Sequence, residues 1–285
     1  MKLKERLNDK AWTFSVEVFP PKKNIQDLSS IQTTIQSLID LKPDFISVTY
    51  GAGGSTNKNT IELVKFIKNL GAEPIAHLTC ANESTESIDA YCEELKANHI
   101  DNVMALRGDN FNPDMPNDFE HANDLMKHII SKHGLNCAGA FYPELHTESK
   151  WISDDIQAYL YKQEAGAQLL ISQLFFDNEK FYTMVNNARK AGVTIPIIAG
   201  IMPITDANSF VRIRQMTGAA VPESLLTLVE ANKDNKEAMF EVGVSWASMQ
   251  IMDLVAHGVN GIHLYTMNKP EIANAIYDRI KIFRK

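Results

Sequence analysis

Cysteine is scarce: the chain of 285 residues holds 3, Cys80, Cys92 and Cys137. Their number and irregular spacing exclude a disulfide framework or a cysteine-based zinc site. No apolar run approaches the ~20 residues of a membrane span. The opening segment, MKLKERLNDKAW, has no apolar stretch of the signal-peptide kind. Basic charge is short as well. Formal net charge is -7, and no Lys/Arg cluster is long enough for a nucleic-acid face. The expectation is a soluble cytoplasmic protein whose partners are small molecules, neither nucleic acid nor membrane. The common catalytic motifs are missing too. There is no GxSxG and no Walker sequence, and the one GxGG, Gly51 to Gly54, lacks the remainder of a dinucleotide fingerprint. His77, His146 and His263 fall on separate segments with no HxH or HxxE spacing, so no metal site is expected.

What is present is a regular alternation. Short β-rich or continuous apolar runs occur at 13–19 (TFSVEVF), 44–50 (DFISVTY), 74–80 (PIAHLTC), 103–106, 136–142 (NCAGAFY), 168–176 (QLLISQLFF), 196–201 (PIIAGI) and 261–265 (GIHLY). Between them the apolar spacing is helical, over 24–41, 60–70, 84–98, 120–133, 154–165, 179–191, 206–216, 223–231, 235–256 and 271–283. Residues 1–11 read as a short polar helix or arm. Alternation of this kind predicts a parallel sheet, and eight units predict a closed barrel. The expected fold is α/β: a single (β/α)8 TIM barrel spanning 1–285, with an enlarged helical connection between strands seven and eight.

Polar residues recur at the predicted strand ends, where α/β barrels keep their active sites. Glu17 interrupts an apolar strand, a costly place for a carboxylate that is neither paired nor functional. An ion pair inside the barrel or a working acid both fit, since desolvation favours the protonated form. Arg107-Gly108-Asp109 follows the fourth strand, where the glycine permits a sharp turn or a close approach to a ligand. A surface ion pair would fit there too. His77 sits between apolar residues as a satisfied core histidine would. Gln173 reads as a strand residue whose buried amide needs a partner. Tyr142-Pro143-Glu144-Leu145-His146 ends strand five, and Tyr265 to Lys269 ends strand eight. Arg107 or Lys162 would have to meet any anionic ligand. A polar ring without a nucleophile, metal cluster or Schiff-base lysine suggests that a cofactor carries the chemistry.

Eight segments, in order, carry a resemblance: SVEVFPPK (15–22), SVTYGAGGST (47–56), AHLTC (76–80), ALRGD (105–109), YPELH (142–146), SQLFFD (172–177), GIMPI (200–204) and HLYTMNK (263–269). Together they are similar to the methylenetetrahydrofolate reductases of the short bacterial type. The resemblance implies a (β/α)8 barrel that binds FAD. It implies reduction of 5,10-methylenetetrahydrofolate to 5-methyltetrahydrofolate with NADH or NADPH, which supplies methyl groups for methionine synthesis. A homo-oligomer is expected, without control by S-adenosylmethionine.

The resemblance also implies roles. Glu17 matches the general acid that helps open the folate imidazolidine ring to an iminium. Asp109 matches a carboxylate near the flavin and the pterin, and Gln173 a pterin-binding amide. Thr49 matches a residue near the nicotinamide. Tyr50, Ala52, His77, Arg107, Gly108, Ala122, Tyr142, His146, Asp155 and Lys162 match FAD-contacting positions. Ser209 and Lys269 match positions that hold the folate, Lys269 standing where many relatives have Arg. Three positions depart from the pattern. Ala158 and Tyr161 stand where an Asn and an Arg usually touch FAD, and Ile213 where some relatives have a Phe against which NADH stacks, with Phe210 one turn earlier. Two other readings stay open: another flavin-dependent barrel of the proline-dehydrogenase kind, and a non-catalytic folate- or flavin-binding subunit. Gln173 and Lys269 speak against the first, and a buried Glu17 against the second.

Overall fold

The computed structural model describes residues 3, 10–21, 28–50, 57–108 and 112–284. The elements run in the order β1 (Thr13–Val18), α1 (Leu28–Ile39), β2 (Phe45–Val48), α2 (Asn57–Asn69), β3 (Pro74–Thr79), α3 (Thr85–Ala97) and β4 (Asn102–Leu106). Then come α4 (Ala122–His128) with a π-helical turn (Ile129–His133), β5 (Asn136–Phe141), α5 (Ile152–Glu164), β6 (Leu169–Ser172), α6 (Asn178–Lys190) and β7 (Ile197–Ile201). Three helices, α7 (Ala207–Thr217), α8 (Glu223–Asn232) and α9 (Lys236–Ala256), separate β7 from β8 (Gly261–Tyr265), and α10 (Pro270–Ile280) follows. All strand pairs are parallel, and β8 pairs with β1 to close the barrel. The (β/α)8 architecture expected from alternation is the one observed, including the enlarged seventh connection. No described helix is long and apolar enough to cross a membrane.

Each strand alternates between two cores. On β1, Phe14, Val16 and Val18 face outward into the layer between sheet and helices. Thr13, Ser15 and Glu17 therefore point into the barrel, because side chains on a strand repeat every second residue. Phe45, Ile75, Met104, Leu169, Ile171 and Ile198 fill that interior, and Leu3 joins them. Burying each such aliphatic side chain stabilises the fold by roughly 1.5–3 kcal/mol relative to exposure. Below the first strands, Asp44 accepts from Phe14 N at 2.8 Å and from Arg284 Nη2 at 2.9 Å, and pairs with Lys10. Trp12 Nε1 donates to the Phe283 carbonyl at 2.9 Å, so both chain-end segments are tied under β1.

Gly200 on β7 has a steric reason. A Cβ there would lie 2.2 Å from the Ser172 carbonyl and 2.7 Å from the Tyr265 ring. The missing side chain lets Tyr265 cross towards β6, where its hydroxyl donates to Ser172 O at 2.6 Å.

Three expectations need correction. Strand six does not run over 168–176. It ends at Ser172, and Gln173 is exposed just past it, with Oε1 accepting from Leu174 N at 2.9 Å. The Gln173 amide is thus open to solvent and needs no buried partner. The helix over 120–133 is also not uniform, because its last turn is π-helical. Strand one stops at Val18, one residue short of Phe19. The arm expected over 1–11 and the helix start at 24–27 lie largely outside the described residues.

Candidate active site

Three groups of side chains meet at the C-terminal mouth of the barrel. The first lies in the barrel interior around Glu17, which is 5% exposed. The register sets Glu17 beside Ser47 on β2 and Tyr265 on β8, and Ser15 beside His263. Ser47 Oγ donates to Glu17 Oε2 at 3.4 Å, while His77 Nε2 and His263 Nε2 lie 3.5 and 3.7 Å from the same oxygen. His263 Nδ1 and Ser15 Oγ are 2.8 Å apart. Burial pushes the His77 imidazole below its ordinary pKa against the pull of Glu17, which keeps it neutral near pH 7. Glu17 is thus a buried carboxyl whose side-chain neighbours Ser47, His77 and His263 lie 3.4 to 3.7 Å from one of its oxygens. Its place on the inward face at the C-terminal end of β1 sets it beneath the mouth, facing whatever binds there.

Ser15, Ser47 and His263 were not singled out from the sequence. The signal was there: the alternation T-F-S-V-E-V in β1 and I-H-L-Y in β8 puts Ser15, Glu17, His263 and Tyr265 on one face.

The second group gathers at β4 and β5. Arg107 forms a bidentate pair with Glu148, at 2.6 and 2.8 Å. Gly108, with φ of 95°, turns the chain there, and Asp109 lies outside the described residues. Among the described residues, the opposite charge that meets Arg107 is Glu148. Tyr142 packs edge-on against His146 at 4.7 Å, and its backbone N donates to Tyr159 Oη at 2.9 Å. Asp155 is buried and pins the intervening loop, accepting from His146 N at 2.9 Å and from Ser149 Oγ at 2.7 Å. Ala122 is the first residue of α4. Tyr50 donates to Glu83 at 2.7 Å, and the carbonyl of Thr49 accepts from Thr60 at 3.0 Å. Ala52 lies outside the described residues.

Lys162 is the informative member of this group. It is 8% exposed, donates to the Ala140 carbonyl at 2.7 Å, and lies 5.9 and 5.5 Å from the ring centres of Tyr142 and Tyr159. Burial pushes its pKa down from 10.5 to about 8, with Asp155 pulling weakly the other way. An unfolded chain therefore binds this proton more tightly than the folded one. Folding stability should rise with pH between about 8 and 10.5. The expected gain for the protein without ligand is on the order of 2–3 kcal/mol. Lys162→Met should show no such gain. Denaturant melts of both proteins at the two ends of that window check it.

The third group lines a cavity of about 170 Å³ between the β7 and β8 mouths, with Met202, Thr205, Ser209, Ile213, Tyr265 and Lys269 among its walls. Ser209 N donates to the Asp206 carboxylate at 2.7 Å, which caps α7 and holds that carboxyl below its usual range. Gln173 stands at the β6 mouth. Phe210 is 4% exposed and packs against Phe176 with ring centres 5.8 Å apart, so it offers no open stacking face. Ile213 lines the cavity instead, and Tyr161 on α5 is exposed. Glu144 was noted only as part of a strand-end segment. Its Oε2 accepts from Ala220 N at 2.7 Å, tying the β5 loop to the segment between α7 and α8, and burial raises its pKa.

The family model described as methylenetetrahydrofolate reductase matches residues 2–281. A methylenetetrahydrofolate reductase (NADH) 1 of Arabidopsis thaliana is 36% identical over 92% of this chain and 47% of its own length. The chain thus spans about half the length of the plant relatives it matches. The 5,10-methylenetetrahydrofolate reductase of Escherichia coli is 31% identical over 92% of this chain and 88% of its own. Among solved structures, a Clostridium thermocellum protein described as binding two copies of 5-methyl-5,6,7,8-tetrahydrofolic acid superposes with a TM-score of 0.66. It is 16% identical and covers 98% of both chains, a likeness of fold. With the family model matched almost end to end and these relatives above 30% identity, the chain belongs to the methylenetetrahydrofolate reductase family.

Proposed function

We propose that this protein reduces 5,10-methylenetetrahydrofolate to 5-methyltetrahydrofolate, with FAD as bound cofactor and a reduced nicotinamide dinucleotide as hydride source. The observation that carries the proposal is Glu17, a carboxyl held inside the barrel among Ser47, His77 and His263. A pure binding subunit gains nothing from a desolvated acid there.

FAD fits the second group of side chains. Lys162 is a buried cation whose charge is disfavoured by desolvation. An anionic diphosphate would restore that charge, and Tyr142 and His146 present ring faces and edges beside it. Lys162, Arg107, Tyr142 and His146 are the residues that would hold the cofactor. Bound FAD supplies a two-electron carrier that takes hydride from the nicotinamide and gives it to the folate.

The chain's own residues do the rest. Ser209, Lys269 and the exposed amide of Gln173 would orient the folate, the cation meeting its glutamate carboxylates. Glu17 would then give its proton to the folate N10 as the imidazolidine ring opens to the iminium. Burial disfavours a charged imidazole at His77, 3.5 Å from that carboxyl. The Clostridium thermocellum neighbour, similar in fold, is described as binding 5-methyl-5,6,7,8-tetrahydrofolic acid, the product of the proposed reaction.

The cofactor claim has a direct check. Mass spectrometry of the supernatant after denaturation should find FAD, and Lys162→Met should lower flavin retention. Recovering only FMN, or no flavin after reconstitution, would contradict it.

A further inference from the structure

On the outer side of the barrel, in the seam between α3 and α4, two histidines converge on one carboxylate. His128 Nε2 and His133 Nε2 each lie 2.7 Å from Asp89 Oδ1. Lys132 Nζ holds the other oxygen, Oδ2, at 2.6 Å. The far nitrogen of His133, Nδ1, is 2.8 Å from Glu93 Oε1.

Two features of this cluster go beyond an ordinary ion pair. The first is backbone geometry. Residues five apart stand about 140° apart around an α-helix and cannot share a partner. The π-helical turn Ile129–His133 brings residues five apart nearly one turn apart, and this aims both imidazoles at Asp89. Single π turns are rare and gather at functional sites. The second feature is proton counting. His133 is only 2% exposed in its side chain, yet both of its ring nitrogens face carboxylate oxygens. A neutral imidazole has one N–H and can satisfy one of them. The other contact needs either a second proton or a cation seated on the nitrogen.

We propose that Asp89, His128 and His133 form a binding site for a divalent transition-metal ion, zinc being the best match. Their ligand atoms all lie within 4.8 Å of one another. A tetrahedral ion about 2.0–2.1 Å from each requires only a small outward movement of the rings. Two imidazoles and a carboxylate with water in the fourth position suit zinc. Glu93 then fills the outer role that orients a ligating histidine: it accepts from His133 Nδ1–H and fixes Nε2 as the metal-facing atom. Side-chain exposure of 20% at His128 and 21% at Asp89 leaves a path for the ion, and Lys132, 53% exposed, can swing into solvent. Binding joins α3 to α4 through one ion.

The test uses full-length, flavin-loaded protein stripped with a chelator and titrated with zinc by calorimetry in buffers of different ionisation enthalpy. One zinc per chain should bind with release of protons. His128→Gln, at a part-exposed position, should abolish stoichiometric binding. Glu93→Gln should weaken it on the order of 10–100-fold, the usual effect of losing an outer-sphere partner. No one-to-one uptake by the wild-type chain overturns the proposal. So does uptake with the same affinity in both variants.

Discussion

Glu17→Gln should leave reduction of the flavin by the nicotinamide largely intact while suppressing methylenetetrahydrofolate reduction on the order of 10²–10⁴-fold, the range of a positioned general acid. The two half-reactions differ in what they ask of Glu17. Hydride transfer from a nicotinamide needs no proton at this point of the barrel. Opening the folate ring needs one at N10, and Gln cannot give it. The substitution keeps the shape and the hydrogen-bonding reach of the side chain, so the contact with Ser47 survives it. Stopped-flow absorbance of each half separately decides the matter. Equal slowing of both would mean that Glu17 only maintains the interior polar cluster with His77 and His263.

Asp109→Asn is expected to lower folate reduction on the order of 10²-fold, the scale of losing one electrostatic stabiliser. Asp109 directly follows Gly108, whose positive φ turns the chain at the β4 mouth. Arg107, two residues earlier, is engaged with Glu148 through two hydrogen bonds. A negative charge beside flavin and pterin would make the flavin harder to reduce. It would also favour a cationic iminium over the neutral folate, which acts selectively on the transition state. The Asn variant keeps the shape and removes the charge. Its flavin potential should rise, and reduction by the nicotinamide should stay competent. A redox titration with single-turnover kinetics of both halves checks this. An unchanged potential with unchanged folate turnover would assign Asp109 to the loop alone.

The barrel was legible because each strand is short, apolar and closed by turn chemistry, and because helices of amphipathic spacing separate the strands. Strand six misled for a physical reason. The run QLLISQLFF stays apolar past Ser172 because Phe175 and Phe176 are buried outside the sheet, Phe175 stacked on Phe181 with ring centres 5.1 Å apart. An apolar run reports burial, and here the burial is against helices: Phe175 against Phe181 of α6, and Phe176 against Phe210 of α7. Gln173 was misplaced with it. At the site, Glu17 was visible as a charge in an apolar strand. Its neighbours Ser15, Ser47 and His263 come from three strands, and only the register of a closed barrel brings them together. The π-helical turn left no trace in the periodicity of MKHIISKHG, since apolar residues still recur three to four apart.

The most direct test of the account is a single turnover. Protein carrying reduced flavin is mixed under anaerobic conditions with methylenetetrahydrofolate, and the flavin spectrum and the folate product are followed together. The account predicts reoxidation of the flavin with formation of one 5-methyltetrahydrofolate per flavin. A flavin that stays reduced in the presence of the folate, with no methyl product, would contradict it.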